Sequence, residues 1–321
     1  VGIHPRRREI KTNLRYLTAT VMMLLSVATF AQQDPLFTQY QYNKLEFNPG
    51  YAGSGGRFAV DLITRFQWTG IPGAPRTITF AAQTPLRNQH IGLGLYAYRD
   101  ELGPTVDYGA MAAFAYRIIF PSTKLCFGIQ AGFKHMDINW DALNPKDPGD
   151  ILLSSQTENR AVPDVDFGIY YYGTSFYTGL SVKHLLQNQI MVSDAPPDEN
   201  DSYTRLLRSY YALAGGAVVL SDNLVMMPSF LGRYVRNAPF QADLNLSFLI
   251  GKLLTLGASY RTGSAIGLMM GLSIGKGFSF GYSYDLWFNS LNSYNKGSHE
   301  IRVSYEFDLF DRSRMLTPRY F

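Results

Sequence analysis

The residues of this chain that could do chemistry are five histidines, one cysteine, a few glycine-rich or acidic clusters, and charged side chains set singly into apolar stretches. His4, His90, His135, His184 and His299 show no HExxH-type spacing, so metal-assisted hydrolysis has no local signature. His184 and His299 fall at the ends of alternating segments, where a hydrogen-bonding role is expected rather than proton transfer. Cys126 is the only cysteine, which excludes an intrachain disulfide and a cysteine-based metal site. No Ser/His spacing singles out a nucleophile, so an enzyme acting on lipid has no support. Gly53-Ser54-Gly55-Gly56 lacks the following Lys-Ser/Thr of a phosphate cradle and reads as a flexible lead into a strand. Asp194, Asp198, Glu199 and Asp201 would suit Ca²⁺ chemically, but their spacing is not that of an EF-hand, and a solvated loop is expected. These readings name no catalytic residue, no metal ligand and no cofactor.

The charged side chains carry more information, because of the elements that must hold them. Ile301, Val303, Tyr305, Phe307 and Leu309 alternate with Glu300, Arg302, Ser304, Glu306 and Asp308. Phe278 to Leu286, Phe240 to Ile250 and Leu254 to Tyr260 show the same period of two. One face of each strand can meet hydrocarbon while the other meets a polar interior. Arg65, Arg117, Lys183, Asp243, Arg261, Asp285 and Arg302 all fall on the polar face, and a dry sandwich core could not bury so many charges without close pairing. The pattern predicts an all-β transmembrane antiparallel up-and-down β-barrel of about 14 strands over 57–309. The segments 208–220 and 222–234 alternate poorly. Gly92-Leu93-Gly94 lies inside a strand, where inward glycines leave lumen space or ease curvature.

Connections also segregate. The long ones (136–162, 185–207, 288–296) are odd-numbered, and the even-numbered ones near Gly173, Ser221, Gly251 and Gly275 are tight turns, as in up-and-down barrels with long loops outside. Both termini are then expected on the periplasmic side. Trp68, Tyr96, Tyr98, Tyr260, Tyr284 and Trp287 are expected as an outer aromatic girdle, and Tyr170, Tyr171 and Tyr172 as an inner one.

Residues 1–31 read as a cleaved signal peptide. Arg6, Arg7, Arg8, Lys11 and Arg15 precede an apolar stretch, Tyr16 to Phe30, and the small residue Ala31. The stretch is short for a spanning helix. Without it, basic and acidic side chains balance, so the formal charge of +4 implies no nucleic-acid partner. Residues 32–56 are then an N-terminal periplasmic or plug segment and 310–321 a C-terminal tail.

Several motifs occur in series: Gln33-Asp34-Pro35-Leu36-Phe37-Thr38-Gln39-Tyr40, Phe47-Asn48-Pro49-Gly50-Tyr51-Ala52-Gly53-Ser54, Arg65-Phe66-Gln67-Trp68-Thr69-Gly70, Gly73-Ala74-Pro75-Arg76-Thr77, Leu180 to Leu186 around His184, Gly281-Tyr282-Ser283-Tyr284-Asp285, and Tyr294 to Ile301 with Gly297, His299 and Glu300. In order and spacing the chain resembles the PorP/SprF family of outer-membrane proteins, with Gly50 standing where the resemblance leads to Ala. The resemblance implies a non-enzymatic role in the type IX secretion system and, in some bacteria, gliding motility. It also implies partners: a secreted surface adhesin or its C-terminal sorting domain, periplasmic ring subunits, a peptidoglycan-binding lipoprotein and outer-membrane lipid. A small-solute porin or transporter is the alternative, resting on the polar inner face and its glycines.

Overall fold

The structure is a computed structural model and describes residues 34–139, 158–159, 161–192, 205–275, 277–288 and 293–309. The expected signal peptide, the C-terminal tail and the acidic loop at 194–201 lie outside the described residues. Fourteen antiparallel strands close into a barrel. They are β1 (Phe58–Phe66), β2 (Arg76–Pro85), β3 (Ile91–Leu102), β4 (Thr105–Ile119), β5 (Lys124–Ile138), β6 (Val162–Tyr172), β7 (Phe176–Lys183), β8 (Ser209–Gly216, continuing as Val218–Ser221), β9 (Leu224–Val235), β10 (Gln241–Ile250), β11 (Leu254–Arg261), β12 (Ala265–Ile274), β13 (Phe278–Trp287) and β14 (Ser298–Phe307). Each strand pairs with its sequence neighbours, and β1 closes the ring against β14 from Phe58↔Phe307 to Phe66↔His299. Among the fourteen described strands only the second leg of β8 is paired on one side alone, and a sheet in hydrocarbon requires such closure, since an unpaired backbone group there costs several kcal/mol.

The period of two separates the faces. Leu62, Phe80, Leu95, Phe114, Ile129, Leu180, Leu244 and Leu268 are exposed on the outer wall, while Asp61, Arg65, Arg117, Lys134, Asp166, Asp243 and Glu300 are buried inside. The strand ends that flank 139–161, 184–208 and 288–297 lie at one end, the long-loop rim. The other end, the turn rim, carries 120–123, 173–175, 222–223, 251–253 and 275–277.

The poor alternation around β8 and β9 has a local cause. Beyond Gly216 the second leg of β8 leaves β7 and pairs with β9 alone, with a register irregularity between Val219 and Ser221. Before that point the inward residues Tyr211, Leu213 and Leu231 are themselves apolar and buried. They face a packed interior, not water.

Residues 34–56 make that interior. They run down the lumen as an extended lead, three short helical turns (Tyr40–Tyr42, Lys44–Phe47, Pro49–Tyr51) and a final bend into β1. Phe37, Leu45, Phe47 and Ala52 are almost wholly buried and share one core with Ile63, Tyr96, Tyr170, Tyr172 and Tyr177 of the wall. This corrects two expectations. Tyr96, Tyr170, Tyr172 and Trp287 are buried, not interfacial girdle residues: the segment gives the three tyrosines a dry partner, and Trp287 packs on Trp68. And although β1 begins and β14 ends at the turn rim, Asp34 lies near the long-loop rim, beside residues at the loop ends of β5, β7 and β9.

Candidate functional site

The lumen wall and the segment inside it meet in three layers. At the long-loop end the contacts are ionic. The Asp34 carboxylate lies 3.4 Å from Lys183 Nζ, 3.5 Å from Lys134 Nζ and 3.1 Å from His184 Nε2, and accepts from the Tyr211 hydroxyl at 3.4 Å. Arg233 donates to its backbone carbonyl at 2.8 Å. Behind this shell His184 Nδ1 is 2.5 Å from Asp164, its backbone N–H donates to Asp166 at 2.9 Å, and Lys134 reaches Asp107 at 3.0 Å. Burial alone would raise the Asp34 carboxyl, but Lys183, His184 and Lys134 outweigh it and hold the group well below its ordinary range. Burial alone would depress His184, but Asp34 and Asp164 outweigh it and push the imidazole up to about 9. His184 adopts φ 58°, a left-handed backbone found at few non-glycine residues. Asp164, Asp166 and His184 stand close enough together for a metal in principle, but their atoms already bond one another and Asp34, beside two lysines.

One layer deeper, Glu300 accepts from two successive backbone N–H groups, Thr38 at 3.0 Å and Gln39 at 2.9 Å. Arg65 neutralises Glu300 at 3.0 Å and Asp285 at 2.6 Å, and the Thr38 hydroxyl donates to Asp285. Arg261 makes two hydrogen bonds to Asp243, at 2.9 and 3.2 Å. The guanidinium of Arg302 donates to Asp61 and lies 4.1 Å from the Tyr42 ring centroid. Lys44, on the segment, is buried between the rings of Tyr51 and Tyr177; burial draws its ammonium down to about 7, against the pull of Asp61.

The turn-rim end is close-packed instead. Asn48 donates to the carbonyls of Ile169 at 2.9 Å and Leu180 at 3.2 Å while accepting from Gly50 N–H. Ser181 donates to the Phe47 carbonyl. Tyr51 packs edge-on against Tyr170, and Arg117 donates to the Ala52 carbonyl at 2.8 Å. A Cβ on Gly128 would stand 2.2 Å from Gly50 N, and one on Gly168 would stand 2.2 Å from Asn48 Oδ1. The inward glycine at position 92 likewise makes room for the Ala52 carbonyl, so these glycines leave space that the chain itself fills. Two cavities between segment and wall, one beside Thr38 and Tyr40 and one beside Tyr42 and Arg302, are about 10 and 30 Å³, room for about one water each, and a wider groove of about 720 Å³ opens in the wall from β7 to β12, lined by Gly215, Phe230, Leu246 and Tyr260 with Ser229 and Asn245.

With that geometry in view, the profile of the type IX secretion system membrane protein family PorP/SprF matches residues 29–305. The chain belongs to the PorP/SprF family. No curated protein matches it in sequence. Among solved structures it is similar to the Acinetobacter baumannii outer membrane protein Omp33, at 10% identity over 78% of this chain and 98% of that one, with a TM-score of 0.45. It is also similar to the CymD monoaromatic hydrocarbon channel, at 10% identity over 85% and 94%, with a TM-score of 0.48.

The motif residues of this PorP/SprF member fall in four places. Asn48, Pro49, Tyr51 and Gly53 are on the segment in the lumen; His184, Asp285 and Glu300 are on the wall that receives it, with Arg65, Arg117, Lys183, Asp243, Arg261 and Arg302. Gln67, Trp68, Gly70, Gly73, Pro75 and Gly297 instead build the rim over the β1–β14 seam. Gln67 N–H donates to Pro75, Trp68 packs edge-on against Trp287, both share the Ser298 hydroxyl, Thr69 N–H donates to Gly297, and Gly70 and Gly73 pack against Lys296 and Gly103. Tyr282 and His299 hydrogen-bond to each other at 2.7 Å on the outer wall. Sequence reasoning placed Lys134 on the polar face and Asp34, Thr38 and Gln39 in a motif, but assigned no role to those three, to Asp164 or to Arg233. The available signal was a lumen face unsuited to water: inward glycines on several strands, and inward Tyr96, Leu213 and Leu231.

Proposed function

We propose that this protein is a non-enzymatic outer-membrane component of type IX secretion that serves the export or surface attachment of an adhesin bearing a C-terminal sorting domain, and gliding motility where the bacterium glides. The observation that carries this reading is the filled lumen. A barrel whose interior holds its own chain, with Phe37, Leu45, Phe47 and Ala52 almost wholly buried against the wall, is built to present surfaces rather than to conduct solutes. Family membership supports contact with other secretion components. In this reading residues 1–31 direct export and are cleaved, the long-loop rim faces the cell exterior and meets the adhesin, and the turn rim faces the periplasmic ring and a peptidoglycan-binding lipoprotein.

The test is deletion of the gene, with the adhesin scored by antibody on intact cells. Loss of surface adhesin while its intracellular pool persists is expected. Adhesin attached at the normal level would end the reading. In planar bilayers the purified protein should be silent; stable open channels would favour a small-solute transporter instead.

A further inference from the structure

We propose that the long-loop end of the lumen is a peptide-binding site, filled here by the chain's own residues 34–39, whose other occupant is a segment of an exported polypeptide carrying an acidic side chain three residues ahead of an aromatic one. The choice of an exported polypeptide rests on the function proposed above; the site itself rests on geometry.

Three features define what the site accepts. The first is a carboxylate pocket: Lys183, Lys134, His184 and Tyr211 converge on Asp34 from three strands and the residue following one of them. The second is an apolar socket, in which Phe37 is fully buried. The third is Glu300, whose two oxygens take the N–H groups of Thr38 and Gln39. Backbone capture of that kind accepts any side chain at those positions, so selectivity falls on the acidic and aromatic residues.

The occupant is held by the wall alone. Residues 34–37 have no regular structure of their own and make no strand ladder, unlike the deeper turns locked by Asn48 and the glycine walls. Solvent reaches the pocket, the side chains of Asp34, Lys134 and Lys183 being 11%, 9% and 9% exposed. Among the described residues, Lys183 has Asp34 as its salt-bridge partner. Displacing Asp34 removes that ion pair, which an occupant lacking a carboxylate does not restore. A replacement must therefore bring its own carboxylate, and an apolar or basic peptide is refused.

The experiment uses the full mature chain in detergent and a fluorescent synthetic peptide of residues 33–42. In the Asp34→Asn protein the internal segment loses its carboxylate and competes less, so the peptide should bind at least about tenfold more tightly than to wild type. A peptide with Asn in place of its Asp, or Lys183→Gln added to the variant, should abolish that gain. Equal affinity for the two proteins, or for the two peptides, overturns the proposal. If Asp34→Asn does not fold, a photo-crosslinking form of the peptide is applied in excess to wild type. Crosslinks in β5 and β7 support the site, and crosslinks elsewhere or none overturn it. Gene deletion reads the cellular role separately: peptide binding with adhesin attachment undisturbed would remove the role and keep the site, while lost attachment without peptide binding would do the reverse.

Discussion

The two halves of the lumen hold the same segment by opposite means. At the long-loop end, Asp34, Thr38 and Gln39 are gripped by charges: Lys183, Lys134 and His184 on one side, Glu300 with Arg65 on the other. At the turn-rim end, Asn48 to Ala52 lie against bare backbone at Gly128, Gly168 and Gly92, with Tyr170 as a lid. Charge pairs can be exchanged for other charge pairs when water has access, whereas a backbone-to-backbone contact admits nothing else. The first half is suited to release and the second to permanent anchoring, a division that simple burial does not reveal, since the side chains of both halves are largely buried.

The hardest blow to this contrast falls on the close-packed half. Gly128→Val should yield no closed barrel, read as loss of the mobility difference between unheated and boiled samples on a gel, because its Cβ would sit 2.2 Å from backbone. A folded, normally stable Gly128→Val protein would show that the segment can leave this half as well.

Next is the ionic half. Arg65→Met leaves Glu300 a buried, unneutralised acid and Asp285 with only Arg261, 4.0 Å away, and should cost about 3–5 kcal/mol in urea unfolding. Adding Glu300→Gln should recover part of that loss, and strict additivity of the two changes would mean that the pair does not act as a unit.

A smaller effect comes with pH. The imidazole of His184, raised to about 9, contributes stability that is complete below its ordinary value of 6.5 and is lost as pH rises through about 9. Tm should therefore fall between roughly pH 7 and 10. In Asp34→Asn, without the carboxylate that most raises the imidazole, the fall should be smaller and should end at lower pH; an unchanged profile would detach His184 from Asp34.

The smallest effect tests the fit at the boundary. Gly50→Ala brings a Cβ to 3.0 Å from Asn48 Oδ1 and 3.1 Å from Tyr170, so neighbours need yield only tenths of an ångström. A change within about 1 kcal/mol is expected by chemical denaturation, and a large loss would mean that this half is tighter than its distances say.

The barrel itself was legible in the chain. Strict alternation in segments such as Phe278 to Leu286 and Ile301 to Leu309 places one face in lipid whatever the rest of the molecule does, and the parity of loop lengths orders the strands around the ring. Charged lumen positions followed from the same period. The role of 34–56 did not, because that stretch has neither period: its turns are short, and its polar groups are satisfied by partners as far away in sequence as Glu300, 261 and 262 positions on.

Local physics therefore decided which side chains face oil and how many times the chain crosses, since each strand carries its own amphipathic code. Only the closed structure decided what fills the middle. A glycine, an inward tyrosine and a buried arginine are ambiguous singly, equally at home lining water or receiving a polypeptide. Their meaning appears when the ring brings β1, β5, β6, β7 and β14 around one axis and leaves between them a space shaped to residues 34–56.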